Sequence, residues 1–155
     1  MRNKQQPEEW VTCLHESAHV VFAVLNGRRV KWVTIVPEKV TTLNGKKGIS
    51  LGRWDVSDKQ NPTGWEIEDW VKHVQVTIAG YLTEYMITGV KNGMDDEEAA
   101  RRICDHAGLD FSSIENDTIL LIGNRTDQIN RLAYMLMENK TLDEDQIKRA
   151  IYEDR

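Results

Sequence analysis

The feature that most constrains this chain is an apolar stretch from Glu8 to about Asn26 that carries two histidines and a glutamate. Val11, Leu14, Ala18, Val21, Phe22 and Leu25 recur at helical spacing. Pro7 followed by Glu8 and Glu9 suits a first turn, where carboxylates meet the positive end of the helix dipole. Gly27 reads as the stop. A helix this apolar is mostly buried, so His15, Glu16 and His19 enter the interior with it. Leaving such groups unpaired there is costly.

His15-Glu16-Ser17-Ala18-His19 is an HExxH pattern. Histidines at i and i+4 stand one above the other, so both imidazoles can reach one metal ion. Glu16 is one residue on from His15, unsuited to be a third ligand beside them but within reach of a water on that metal. The pattern therefore predicts zinc held by His15 and His19, with Glu16 as general base. The competing reading is two satisfied helix histidines and a surface glutamate, which the apolar setting disfavours. A catalytic zinc needs a third protein ligand. His73, Glu84, Asp95, Asp96, Glu97, His106 and Asp110 are the candidates, and residue type alone does not choose among them. Gly80, inside a helical pattern, predicts that another element packs close to it.

The remainder predicts an α+β fold, mostly α, in one domain spanning 1–155: a small β-sheet near the N-terminus and a C-terminal helical bundle. Strands are expected at Lys31–Pro37 and Gly48–Trp54, with a turn at Asn44-Gly45 between them. A polar loop covers Asp55–Gly64. Trp70, Val74, Ile78, Leu82 and Met86 support a long helix over about Trp65–Thr88. After a break at Gly89–Gly93, helices are expected over about 95–107 and over 112–139, the latter interrupted near Gly123-Asn124. Thr141-Leu-Asp-Glu-Asp reads as the cap and first turn of a last short helix.

Composition excludes several classes. The net charge of −5 and the lack of a basic stripe speak against nucleic acid as a partner. Cys13 and Cys104 form no CxxC pair, so a thiolate zinc site is not expected, and two reduced core thiols are. No apolar run approaches the roughly 18 residues of a membrane span. No apolar segment follows the charges of the N-terminus, so the expected location is the cytoplasm.

Five blocks in order resemble the peptidase domain of FtsH-type zinc metalloproteases. Leu14–His19 resembles that family's His-Glu-Ala-Gly-His helix. Val33–Pro37 with Leu51-Gly52 is similar to its strand segment, and Ile78–Glu84 to its Ala-Gly-Arg-Ala-Ala-Glu stretch. Asp96, with Ala100 and Ile103, resembles its Asn-Asp-Leu-x-x-Ala-Thr helix. Leu132-Ala133, Lys140–Asp143 and Ile147-Lys148 resemble its C-terminal motif. The resemblance implies Asp96 as third zinc ligand, since choosing Asp95 would put Arg102 where the family is apolar. It implies a supporting role for Glu84 and a polypeptide substrate pairing with an edge strand around Gly48–Gly52. The chain carries no ATPase module, so cleavage of flexible or unfolded segments without ATP is the expectation. The alternatives are a non-catalytic zinc-binding interaction module of peptidase-like fold and a hydrolase of non-peptide amides. Glu16 favours an enzyme, because a purely structural site has no use for a base.

Overall fold

The computed structural model describes residues 8–41, 45, 47–58, 60–91 and 94–153. Pro7, Asn44 and Gly93, assigned to turns above, lie outside them. The fold is α+β and mostly α. In chain order it comprises α1 (Glu8–Leu25), β1 (Val30–Thr34), β2 (Glu38–Thr41), β3 (Lys47–Ser50), β4 (Arg53–Val56), α2 (Ile67–Thr88), α3 (Met94–Ala107), α4 (Phe111–Asn124), α5 (Thr126–Asn139), β5 (Thr141–Asp143) and α6 (Glu144–Tyr152). Among the described residues, no helix is long and apolar enough to cross a membrane.

Helix α1 is the centre of the molecule. It packs on α2, on α5 and on β1. Residues from Cys13 to Ala23 are buried, His15 excepted. Phe22, Ile78, Tyr81, Leu132, Leu136 and Leu142 are fully buried around it, and each such large apolar side chain contributes about 1.5–3 kcal/mol. Cys13 and Cys104 are both buried and form no disulfide. Lys140 fixes the start of α1 against the sheet. Its carbonyl accepts from the Ile35 N–H at 2.8 Å, and its ammonium pairs with Glu9.

The β structure departs from expectation in several ways: β2 was not expected, and β4 runs on through Asp55 and Val56, which were assigned to the polar loop. The stretch 48–54 is not one strand. Residues 47–50 fold back on β2 in a hairpin, whereas β4 joins a three-stranded antiparallel sheet in the order β4-β1-β5. The division falls at Leu51-Gly52, where Gly52 presses against Glu16 and a side chain would not fit. The third strand of that sheet, β5, was expected only as a helix cap. Leu142 is its one buried residue and pairs with Val33, and a three-residue strand carries no alternation to detect. Asp143 does cap α6: its carboxylate accepts from the Gln146 N–H, and Gln146 Oε1 accepts from the Asp143 N–H, both at 2.9 Å.

Helix boundaries follow local chemistry. Trp65 closes a short 3-10 turn, and Glu66 caps α2 through a reciprocal pair with Asp69. Gly89, at φ 73°, ends α2 in the left-handed region that glycine tolerates. Helices α4 and α5 break at Arg125, whose guanidinium lies 4.5 Å from the Phe22 ring centroid.

Candidate metal centre

Helix α1 points His15 and His19 at α2, and α2 meets them with one stripe of residues four apart: Val76, Gly80 and Glu84. The Nδ1–H of His19 donates to the Val76 carbonyl at 2.6 Å, and His15 Nδ1 meets Glu84 Oε2 at 3.1 Å. A carbonyl oxygen and an ionised carboxylate accept only, so each Nδ1 carries a proton and, in the neutral imidazoles, each Nε2 carries a lone pair. Those two Nε2 atoms are 3.2 Å apart. In the neutral imidazoles two lone pairs face each other at that distance, an arrangement that a shared proton or a metal cation satisfies.

Gly80 makes the approach possible. A Cβ there would run into His19 Nε2 and lie 2.8 Å from His15 Nε2. The close packing expected at Gly80 is thus packing against the imidazoles themselves.

The third side is Asp96, in the first turn of α3. Its Oδ2 lies 3.9 Å from His15 Nε2 and 3.7 Å from His19 Nε2. A triangle with sides 3.2, 3.7 and 3.9 Å has its equidistant point about 2.1 Å from each corner, the length of a zinc–nitrogen or zinc–oxygen bond. The donor set and spacing fit a metal, and His15, His19 and Asp96 together can hold one.

Glu16 is buried beside this group. A Cβ on Gly52 would lie 2.5–2.8 Å from its Cγ, Cδ and Oε2, so the bare glycine leaves the carboxylate its place. In the metal-free chain burial pushes Glu16 up to about 7; His15 opposes the rise, and Asp96 and Glu84 add to it. His19 falls to about 3, through burial first and then the neighbouring His15. For His15 burial acts downward, but the Glu84 hydrogen bond and the charges of Glu16, Glu84 and Asp96 outweigh it and its pKa rises. Burial also raises Asp96. Three carboxylates crowd two imidazoles, a charge balance suited to a divalent cation.

The group lies on the wall of a cleft of about 700 Å³. Trp54 of β4 stacks on His19, with centroids 6.0 Å apart and planes at 21°. The cleft continues past Val76 to His73 and Arg28. A smaller hollow of about 260 Å³, beside Val11 and Leu51, shares His15, Glu16 and Gly52 with it. Of the stretch Gly48–Gly52, Gly52 lines the cleft; the strand beside it is β4, at one edge of the three-stranded sheet.

The other ligand candidates are occupied elsewhere. His73 rests against Trp65, and His106 against Trp70. Glu97 pairs with Lys91, and Asp110 caps α4. Asp95 is exposed. Sequence reasoning missed the Val76 carbonyl, since a backbone acceptor leaves no mark on residue type. It named Gly52 but missed its contact with Glu16, although a glycine ending a β-rich run is a signal for close approach.

No protein-family model matches this chain, and no curated protein gives a significant match.

Proposed function

We propose that this chain is a zinc metallopeptidase, similar to the FtsH-type peptidase domain, that hydrolyses peptide bonds of flexible or unfolded polypeptides without ATP. One observation carries the reading: the His15–His19–Asp96 group stands beside a buried carboxylate, Glu16, on the wall of an open cleft. Structural zinc sites are closed by four protein ligands, whereas two imidazoles and one carboxylate leave a position open. Nitrogen-rich donors favour zinc over calcium or magnesium, which prefer oxygen alone.

Zinc, when bound, supplies Lewis acidity, lowering a water's pKa to about 7 and polarising a carbonyl. Glu16 takes the water's proton as its oxygen adds to the peptide carbon, then passes that proton to the departing nitrogen. The products are a carboxylic acid and an amine, and Glu16 returns to its starting charge. Glu84 and the Val76 carbonyl keep the imidazoles in the tautomer that presents Nε2. The free edge of β4 offers backbone hydrogen bonds to an extended substrate.

The test is zinc content together with cleavage of unfolded casein and a peptide library, with and without chelator. Stoichiometric zinc, cleavage stopped by the chelator and cleavage restored by added zinc are expected. Stoichiometric zinc without cleavage would overturn the peptidase reading in favour of an interaction module. Absence of bound metal would overturn both.

A further inference from the structure

Asp96 approaches the imidazoles at 3.7–3.9 Å, beyond hydrogen-bond range, so those contacts do not hold it in place. Its position is set by the first turn of α3. The next residue, Glu97, has its carboxylate buried, with Lys91 Nζ at 2.6 Å and Arg101 at 3.7 Å. Arg101 is also engaged with α4, 4.2 Å from the Phe111 ring centroid. Glu115 of α4 accepts from the Tyr81 hydroxyl of α2 at 3.2 Å. Glu97 and Glu115 both act electrostatically on Tyr81 and on Lys91. Two carboxylates on two helices are thus offset by Lys91 and Arg101, and Lys91 makes the short contact.

We propose that the Lys91–Glu97 ion pair is a positioning clamp for the metal centre: it fastens the first turn of α3 to the segment just past the Gly89 end of α2 and so keeps Asp96 within ligating distance of His15 and His19. The inference rests on the metal-centre reading but assigns Lys91 and Glu97 a role in it that neither plays as a ligand. Without the ammonium, the buried Glu97 carboxylate loses its 2.6 Å partner and keeps the longer contact with Arg101 at 3.7 Å. The turn relaxes outward, and Asp96 moves with it.

The experiment compares the parent with Lys91→Met and Lys91→Arg by zinc competition titration, each with and without Asp96→Ala. Lys91→Met is expected to weaken zinc binding about 10–100-fold, the usual cost of losing a partner that orients a ligand. Lys91→Arg should restore most of it. In the Asp96→Ala background Lys91→Met should have no further effect, because the clamp acts through Asp96. Hydrogen exchange of the metal-free proteins is the second readout. Amides 98–101, bonded to first-turn carbonyls, should exchange faster in Lys91→Met. Equal zinc affinity in Lys91→Met and parent would overturn the clamp, as would the same loss with and without Asp96. Should the parent bind no zinc, the metal-centre reading fails. The exchange arm then decides the clamp alone, and unchanged exchange overturns it.

Discussion

Replacing Gly80 by alanine is expected to disable the metal centre while leaving the metal-free fold close to its original stability. Two opposed effects act on the metal-free chain. Alanine is preferred to glycine inside a helix by about 1 kcal/mol. Inserting a methyl group into a packed site costs about 1–3 kcal/mol. The net change therefore falls between about zero and 2 kcal/mol of destabilisation. The metal centre has no such compensation. The new Cβ would lie 2.8 Å from His15 Nε2 and closer still to His19 Nε2. Reaching ordinary contact requires a retreat of about 0.6 Å or more, whereas a working site tolerates about 0.5 Å. The His19 ring is pinned by its 2.6 Å bond to Val76 and has no easy way to yield. A loss of zinc affinity of about 100-fold or more, about 2.7 kcal/mol, is expected. Competition titration measures the affinity, and denaturant unfolding without metal measures the fold. Zinc should raise the unfolding midpoint of the parent strongly and that of the variant little. Zinc affinity within about threefold of the parent's would refute the assignment of the Nε2 atoms as metal ligands.

Glu16→Gln should retain zinc and fold yet lose cleavage by at least about 100-fold, because the amide cannot take a proton from water; cleavage at the parent rate would remove Glu16 as the base. Asp96→Asn should weaken zinc binding more than Glu84→Gln, since the first supplies a ligand atom and the second orients one. The reverse order in a zinc titration would exchange the two roles. Gly52→Ala places a Cβ 2.5–2.8 Å from the Glu16 side chain. It should slow cleavage with zinc affinity within a few-fold of the parent's, and lost affinity with normal turnover would contradict that division.

What was legible in the sequence was the part governed by periodicity. The α1 pattern placed His15, Glu16 and His19 on a buried helix because apolar residues at 3.6-residue spacing surround them. The glycine at position 80 announced a close approach, but not to what. The sheet was read poorly. Its strands are three to five residues long, and the run 47–56 serves two sheets, a division set by the contact of Gly52 with Glu16 rather than by residue type. The Val76 carbonyl was invisible because every residue has one. Glu97 stood among the seven candidate third ligands, and nothing in an acidic first turn marked it as a packing residue. Only its burial against Lys91 and Arg101 separates it from the exposed Asp95.

The central claim, a metal held by His15, His19 and Asp96, is tested most directly by anomalous diffraction at the zinc absorption edge from crystals of the zinc-loaded protein. The account predicts one peak about 2.0–2.2 Å from the Nε2 atoms of His15 and His19 and from a carboxylate oxygen of Asp96. A peak bonded to Glu84 with Asp96 turned to solvent, or no peak between the two imidazoles, would contradict it.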